Sequence, residues 1–302
     1  MIPDGVAIGH WSGDGTGVTV ITVPPGTVAS GEIRGGAPAE REFALLDPRR
    51  TVQHVDAVVL TGGSAFGLAS ADGVVRALAA TGRGFPTAGG PVPIVPTLAI
   101  YDLLESDRRP GADEGVKALA AAGRAAVGGA IGAGTGATVG KWRGREHAAR
   151  GGLGLAHVEA EGARWLAVAV VNALGDVIGR DGRVIAGSSA PPDAPAFPTA
   201  APFEESANTT LVVMLTTARF DKATCHGLAG AAHDGFARAL RPAHTSADGD
   251  AAIVLATCET DVHPDRAAHL TADLTAEAIR AAVGDGSASM DWAASGMVES
   301  GS

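Results

Sequence analysis

The chain has 302 residues, of which 46% are hydrophobic and 19% charged, with a mean hydropathy of +0.17. This composition excludes intrinsic disorder, and a chain of this length buries enough surface to fold without a metal or a disulfide. The formal net charge of −10 excludes a general nucleic-acid groove and a surface for anionic membranes.

The first third of the chain alternates strand and helix patterns. β-Branched residues predict a strand over residues 17–23, and an apolar run predicts a buried strand over 56–63. Apolar positions at helical spacing predict a helix over 64–82. Two prolines in segment 92–103 favour an extended, irregular stretch over a central strand. A helix is predicted over 113–122, so this part of the chain reads as α/β.

The middle of the chain is first rich in glycine and then extended. Segment 128–141, GGAIGAGTGATVGK, has so much backbone freedom that a close approach of chain or ligand is expected there. Strands over 153–159 and 164–174 predict a hairpin. A second hairpin is predicted over 177–185, with its turn at Asp181-Gly182.

A proline-rich stretch divides this region from the last third. Residues 187–208 hold five of the 17 prolines and predict a surface linker. A strand, a helix, a strand and a helix are then predicted over residues 209–217, 221–240, 251–257 and 264–283. The tail after Gly284 is small and polar and is expected to fray.

Expectations about the cellular compartment and about cofactors rest on motifs that the sequence lacks. The start of the chain does not resemble a signal peptide, and no apolar run is long enough to span a membrane. The cysteines and nearby histidines match no zinc motif, and Gly132-x-Gly134-x-x-Ala137 lacks the acidic residue that completes a dinucleotide fingerprint. We therefore expect a soluble cytoplasmic protein with no metal, no cofactor, and no membrane or nucleic-acid partner.

The junction Asn208-Thr209 carries the main chemical signal. A linker ends there in a small residue, and a threonine then opens an apolar strand. A threonine hydroxyl can attack the carbonyl that precedes it, and cleavage of that bond frees an α-amine with an ordinary pKa of about 7.7–8.0. Such an amine can act as the base for its own hydroxyl. Taken alone, the junction favours a plain strand start that follows a loop, so the catalytic interpretation needs further support.

Six strings support the catalytic interpretation. They run in order from about residue 59 to 257: LTGGSAFGLASADGV, VPIVPTLAIYDL, GATVGK, LAVAVVNALGDVI, NTTLVVMLTT and HTSADGDAAIVLAT. On these strings the chain resembles the L-aminopeptidase/D-esterase family, which includes β-peptidyl aminopeptidases and 6-aminohexanoate-oligomer (nylon-oligomer) hydrolases. The resemblance implies an α/β fold, an αββα-type sandwich that is also found in ornithine acetyltransferases, and a self-cleaving N-terminal-nucleophile hydrolase.

The resemblance also implies roles for residues on both sides of the junction. Thr209 would be the nucleophile, with Asn208–Thr209 as the processed bond. Lys141 would lie beside the nucleophile and favour the free-base form of its amine. Asn172 would donate to a developing oxyanion. Tyr101, the sole tyrosine, would hydrogen-bond near the nucleophile, although a half-buried strand tyrosine is an equally simple interpretation.

Two carboxylates complete the predicted site. Asp248 and Asp250 fall where the aminopeptidase branch carries Ser and Glu, and this change moves the chain toward the nylon-oligomer hydrolases. They would hold the hydroxyl and the amine of Thr209, or relay protons. Otherwise they form only an acidic turn before a strand.

The leading hypothesis is an autoprocessed threonine amidase that cuts linear amides or short peptides through an acyl-enzyme. Residues 1–208 would form an α chain and residues 209–302 a β chain within one fold. The resemblance implies a homotetramer of such αβ units. The alternatives are an aminopeptidase of the same family, an acyltransferase that passes the acyl group to an amine, and a glycine-rich binding module that stays uncut.

Overall fold

Two β-sheets pack face to face, and helices cover both outer faces. The computed structural model describes residues 2–197 and 208–290. The strands in these ranges, β1 to β16, are Ala7–Ser12, Gly17–Thr22, Val28–Ile33, Ala39–Arg41, Ala57–Thr61, Thr97–Ala99, Thr138–Val139, Ala149–Arg150, Gly152–Ala160, Ala163–Asn172, Asp176–Ile178, Val184–Ala186, Thr209–Ala218, Leu240–Arg241, Ala251–Thr260 and Ser287–Ser289. The helices, α1 to α5, are Ser64–Gly67, Ser70–Ala80, Ala112–Ala120, Lys222–Ala239 and Pro264–Ala281.

The first sheet has five strands in the order β1-β2-β5-β6-β4. Alternate residues of β2 point to opposite faces, as strand geometry requires. Val18 and Val20 pack against α2 and α3 through Val74 and Ala118, whereas Ile21 faces the other sheet. This alternation is why a β-branched run of period two forms a strand that is covered on both sides.

The second sheet has six strands in the order β16-β9-β10-β13-β15-β3. Strand β13 lies at its centre, antiparallel to β10 and parallel to β15. Val212 and Met214 face α4 and α5, while Leu211 and Val213 face the first sheet. A strand buried on both faces needs a continuous apolar run, which the sequence of β13 supplies.

The αββα sandwich predicted from the resemblance is therefore confirmed, and most predicted elements are found. The glycine-rich segment also packs closely, as expected. A Cβ on Gly134 would lie 2.3 Å from the Leu153 nitrogen, and one on Gly136 would lie 2.0 Å from the Gly15 oxygen. Bare backbone is thus required where this segment runs between the sheets.

Three predictions about single elements are wrong. The helix over 64–82 is interrupted, because α1 ends at Gly67 and α2 begins at Ser70, and the main-chain nitrogens of Ala69 and Ala71 form tighter, three-residue turns between them. Segment 92–103 contains β6, an interior strand of the first sheet, whose three residues lie beyond both prolines of its motif. The tail does not fray at Gly284, since β16 pairs in parallel with β9.

The proline-rich stretch forms neither helix nor strand over residues 187–197, and residues 198–207 lie outside the described ranges. Residues 291–302 lie outside them as well. Within the part of the chain that is described, no helix is long and apolar enough to cross a membrane.

Replacing Trp165 with alanine tests the packing between the second sheet and its helices. The indole is fully buried, and its ring lies 6.3 Å from that of Phe220. Trp165→Ala should lower the free energy of unfolding by about 3–5 kcal/mol, because a large cavity forms in a close-packed core. The control Val184→Ala shortens an exposed side chain of β12 and should change the free energy of unfolding by no more than about 0.5 kcal/mol. Urea unfolding measures the change for each variant. Similar changes for Trp165→Ala and Val184→Ala would contradict the burial of Trp165 between the second sheet and its helices.

Candidate active site

Thr209 is the first residue of a strand that has a neighbour on each side. Asn172, the last residue of β10, lies directly opposite Thr209 in the antiparallel ladder. On the other side β15 begins next to Leu211. Asn208 and Thr209 are buried, with 3% and 4% of their surface exposed. The junction is therefore held inside the sandwich and not on a surface loop.

The carbonyl oxygen of Asn208 receives two hydrogen bonds. The hydroxyl of Thr209 donates to it, and the main-chain N–H of Gly249 donates to it over 3.0 Å. Donors on a carbonyl oxygen stabilise the negative charge that forms when a nucleophile attacks the carbon. The hydroxyl and the bond it would attack are thus adjacent, and one donor is already in place.

Gly249 must be a glycine for this arrangement to exist. A Cβ on that residue would lie 2.7 Å from the Thr209 hydroxyl oxygen and 2.9 Å from the Ala37 carbonyl oxygen. Its backbone does not have the positive φ that favours glycine, so the requirement is one of space alone.

The Asn172 side chain connects two other predicted site residues, Lys141 and Tyr101. Its amide oxygen accepts hydrogen bonds from the Lys141 ammonium at 2.9 Å and from the Thr138 main-chain nitrogen at 3.0 Å. Its amide nitrogen donates to the main-chain oxygen of Tyr101 at 3.0 Å. The polar side chain that looked out of place on an apolar strand is therefore fully engaged.

Lys141 is buried at the start of a short 3-10 helix, Lys141–Arg143. Its ammonium also donates to the main-chain oxygen of Asn172 at 3.1 Å. Burial, followed by the charge of the nearby Arg145, lowers the pKa of Lys141 to about 7, although Asp248 and Glu105 act in the opposite direction. A lysine of this kind exchanges its proton near neutral pH, which is unusual outside reaction centres.

The loop between β14 and β15 contains the two aspartates. One oxygen of Asp248 accepts from the main-chain nitrogen and the hydroxyl of Thr245, at 2.9 and 2.6 Å, and the other accepts from Leu174 at 3.3 Å. Burial, followed by the charge of Asp250, raises the pKa of Asp248 to about 6.

Asp250 is turned toward the start of β13. One of its carboxylate oxygens accepts from the main-chain nitrogen of Thr210 at 2.7 Å. The other accepts from the main-chain nitrogen and the ring Nδ1 of His244, at 3.0 and 2.9 Å. Its contact with the predicted nucleophile therefore passes through the residue that follows Thr209.

The fold brings the predicted residues into one cluster, but not always through the expected atoms. Tyr101 joins through its main-chain oxygen, whereas a contact of its side chain was expected. Asp250 binds the residue that follows Thr209, and Asp248 binds Thr245 and Leu174, whereas direct bonds to the Thr209 hydroxyl and amine were expected. The predicted catalytic roles of all six residues stay predictions.

Three contributors were not singled out from the sequence: Thr138, Gly249 and His244. Gly249 and His244 lie in the quoted string HTSADGD, and Thr138 lies in GATVGK. Two of the three act through main-chain groups, which side-chain patterns do not identify. Among the described residues no group of three or more His, Cys, Asp or Glu side chains is arranged to hold a metal ion.

Comparisons with known proteins agree with this picture. The profile of Peptidase family S58 matches residues 3–290. An uncharacterized aminopeptidase of Mycobacterium leprae is 41% identical over 284 residues, which cover 84% of this chain and 76% of the relative. A 6-aminohexanoate-oligomer endohydrolase of Agromyces sp. is 30% identical over 285 residues, covering 85% of this chain and 74% of the relative.

A solved structure supports the fold independently. The L-aminopeptidase D-Ala-esterase/amidase from Ochrobactrum anthropi, described as a variant of the Ntn hydrolase fold, superimposes with a TM-score of 0.65 at 19% identity. The match covers 91% of this chain and 83% of that one. The four-layer sandwich therefore has the fold of that protein.

The raised pKa of Asp248 predicts a specific pH dependence of stability. An aspartate in an unfolded chain titrates near about 3.9, so from there to about pH 6 the folded protein holds a proton that the unfolded chain has released. The contribution of Asp248 to the free energy of unfolding therefore falls as the pH rises through this window. Asp248→Asn cannot ionise and escapes this loss.

We therefore expect the variant to gain stability relative to the parent between pH 4 and pH 7. Urea unfolding at both pH values measures the difference, with Thr209→Ala in both proteins so that the chain stays in one piece. A difference that is the same at both pH values would show that the Asp248 carboxyl titrates normally.

Proposed function

This chain belongs to peptidase family S58, and we propose that it is a threonine amidase that cuts its own Asn208–Thr209 bond before acting on linear amides. Its family and relatives establish a hydrolase of amide or peptide bonds. The finer proposal rests on one observation, namely that the Thr209 hydroxyl and the Gly249 N–H both bind the Asn208 carbonyl oxygen.

Maturation then follows in two steps. The Thr209 hydroxyl oxygen attacks the Asn208 carbonyl carbon, the carbon–nitrogen bond breaks, and the hydroxyl proton ends on the Thr209 nitrogen. Water next attacks the resulting ester, adding its oxygen to the acyl carbon and returning a proton to the hydroxyl. The products are an α chain that ends at Asn208 and a β chain that begins with Thr209.

Cleavage supplies the base that catalysis needs. The new α-amine, with an ordinary pKa of about 7.7–8.0, takes the proton of the Thr209 hydroxyl as the oxygen attacks a substrate amide. The proton passes to the leaving amine, and water then hydrolyses the acyl-enzyme ester. The chemistry of maturation is thus repeated on a second amide bond.

The surrounding residues take distinct roles in this proposal. Lys141 lies one hydrogen bond from Asn172, opposite Thr209, where its positive charge favours the neutral form of the nucleophile's amine. Asn172, oriented by Tyr101, and Gly249 stabilise the oxyanion. Asp250 fixes the main chain at Thr210, and Asp248 exchanges a proton near pH 6.

Thr209→Ala removes the attacking oxygen and should leave a single chain of 29.9 kDa with no amidase activity. Wild-type protein should yield two chains, residues 1–208 and 209–302. Thr209→Ser is the matched control, since it keeps a hydroxyl and should still be cut. Intact-mass measurement of fresh protein decides the matter: a cut T209A chain would reject the nucleophile, and an uncut active wild type would reject maturation by cleavage.

Gly249→Ala tests the donor to the Asn208 carbonyl. The added methyl group would collide with the Thr209 hydroxyl, so cleavage should slow by at least about 100-fold, the usual cost of losing one oxyanion donor. Gly227→Ala on α4 is the control for an added methyl group, because nothing lies within 4 Å of the position that its Cβ would take and its φ is not positive. Cleavage of G249A at the rate of wild type would contradict the proposed geometry.

The proposed substrates are linear oligoamides, as the name of the Agromyces relative indicates for that protein. The more similar Mycobacterium leprae relative is named an aminopeptidase, which favours exo-cleavage as a second candidate. Hydrolysis assays with a 6-aminohexanoate trimer and with its N-acetylated form distinguish an endohydrolase from an aminopeptidase. An endohydrolase cuts both trimers, whereas an aminopeptidase requires the amino end to be free.

A further inference from the structure

We propose that His244 is a positioning residue that holds the Asp250 carboxylate in the orientation needed at the start of β13. The inference rests on the proposed function, since it concerns the same nucleophile. It adds a residue that touches neither Thr209 nor the bond to be cut, and that acts through Asp250.

The Asp250 carboxylate accepts hydrogen bonds from two parts of the chain, the loop that contains His244 and the start of β13. His244 donates twice to one carboxylate oxygen, from its main-chain nitrogen at 3.0 Å and from its ring Nδ1 at 2.9 Å. The second carboxylate oxygen accepts from the nitrogen of Thr210, at 2.7 Å. Rotation of the carboxylate would break the Thr210 bond, so the histidine holds Asp250 in the orientation that binds the main chain next to the nucleophile.

The imidazole is itself held on its other sides. Its centroid lies 4.7 Å from the ring of His233, edge to face, and 5.2 Å from the ring of Phe236. Both neighbours project from α4, and Nε2 of His233 lies 3.1 Å from the main-chain oxygen of Glu32 at the end of β3. A series of contacts therefore runs from β3 through α4 to Asp250.

The protonation of these rings follows from their partners. A carboxylate oxygen only accepts, so the His244 ring carries a proton on Nδ1. The Glu32 carbonyl likewise places a proton on Nε2 of His233. Burial lowers the pKa of His233 to about 4, so this ring is neutral near pH 7 and places no positive charge beside His244.

The backbone of His244 shows that the contact is maintained against a local preference. Its φ is +55°, a left-handed conformation that only a few residue types adopt readily. Asparagine and glycine are among these types. They therefore provide two substitutions that the backbone tolerates, one with a side-chain donor and one without.

The test compares His244→Gly with His244→Asn in the processed enzyme. H244G removes the ring without backbone strain and should lower kcat by at least about tenfold with KM little changed, because the reacting atoms are displaced by a fraction of an ångström. H244N places an amide N–H near the Asp250 oxygen and should recover most of the loss. The His244 side chain is 18% exposed, so added imidazole can reach the vacated space and should restore kcat in H244G.

His226→Ala provides the matched control. His226 lies on α4, as His233 does. Its Nδ1 is 3.1 Å from the main-chain oxygen of Gly31, which is not one of the site residues. Its loss should leave kcat unchanged, with or without imidazole. Thermal unfolding of all variants separates a loss of positioning from a loss of folded protein.

The outcomes are distinct. Wild-type kcat in H244G, or equal losses in H244G and H244N with no rescue by imidazole, would overturn the assignment. If H244G does not fold, H244N alone still tests the assignment. A kcat of H244N as low as the kcat of Asp250→Ala would overturn it. Failure of the wild type to cut itself or any amide would instead reject the proposed function.

Discussion

A hydroxyl attacks the peptide bond beside it only if that bond is held in place, and the pairing of β13 on both sides provides this constraint. Asn172 lies opposite Thr209 on one side, and the loop before β15 contacts Asn208 on the other. A central strand is among the least mobile elements of a fold. Every other feature of the site acts on a hydroxyl and a carbonyl that the sheet has already brought together.

The second requirement is a set of charges that water does not screen. Lys141, Asp248 and Asp250 are all buried, and burial is the largest cause of the shifted pKa values of Lys141 and Asp248. One shift is downward to about 7 and the other upward to about 6, so both groups exchange protons close to neutrality. Their hydrogen bonds keep them from neutralising each other in a direct ion pair, since the lysine binds Asn172 and Asp248 binds Thr245.

Much of the fold was predictable because its elements carry local signals. The apolar run of β13, the helical periodicity of α4 and α5, and the hairpin of β9 and β10 were all placed correctly. The errors occurred where long-range contacts override local preference. Segment 92–103 contributes an interior strand because neighbours on both sides pair with it. The helix over residues 64–82 is interrupted after α1, which contacts β4 and β6.

The sequence by itself determined which residues gather at the junction, because its ordered motifs resemble those of a known family, and that resemblance implies Thr209, Lys141, Asn172, Asp248 and Asp250. Only the tertiary structure decided which atoms they use. Tyr101 and Gly249 act through main-chain groups, which every residue possesses and no motif distinguishes. His244 reaches Asp250 only because a left-handed backbone and two rings on α4 direct it there. Directions of this kind depend on packing between distant segments, and so they emerge only when the sheets and helices assemble.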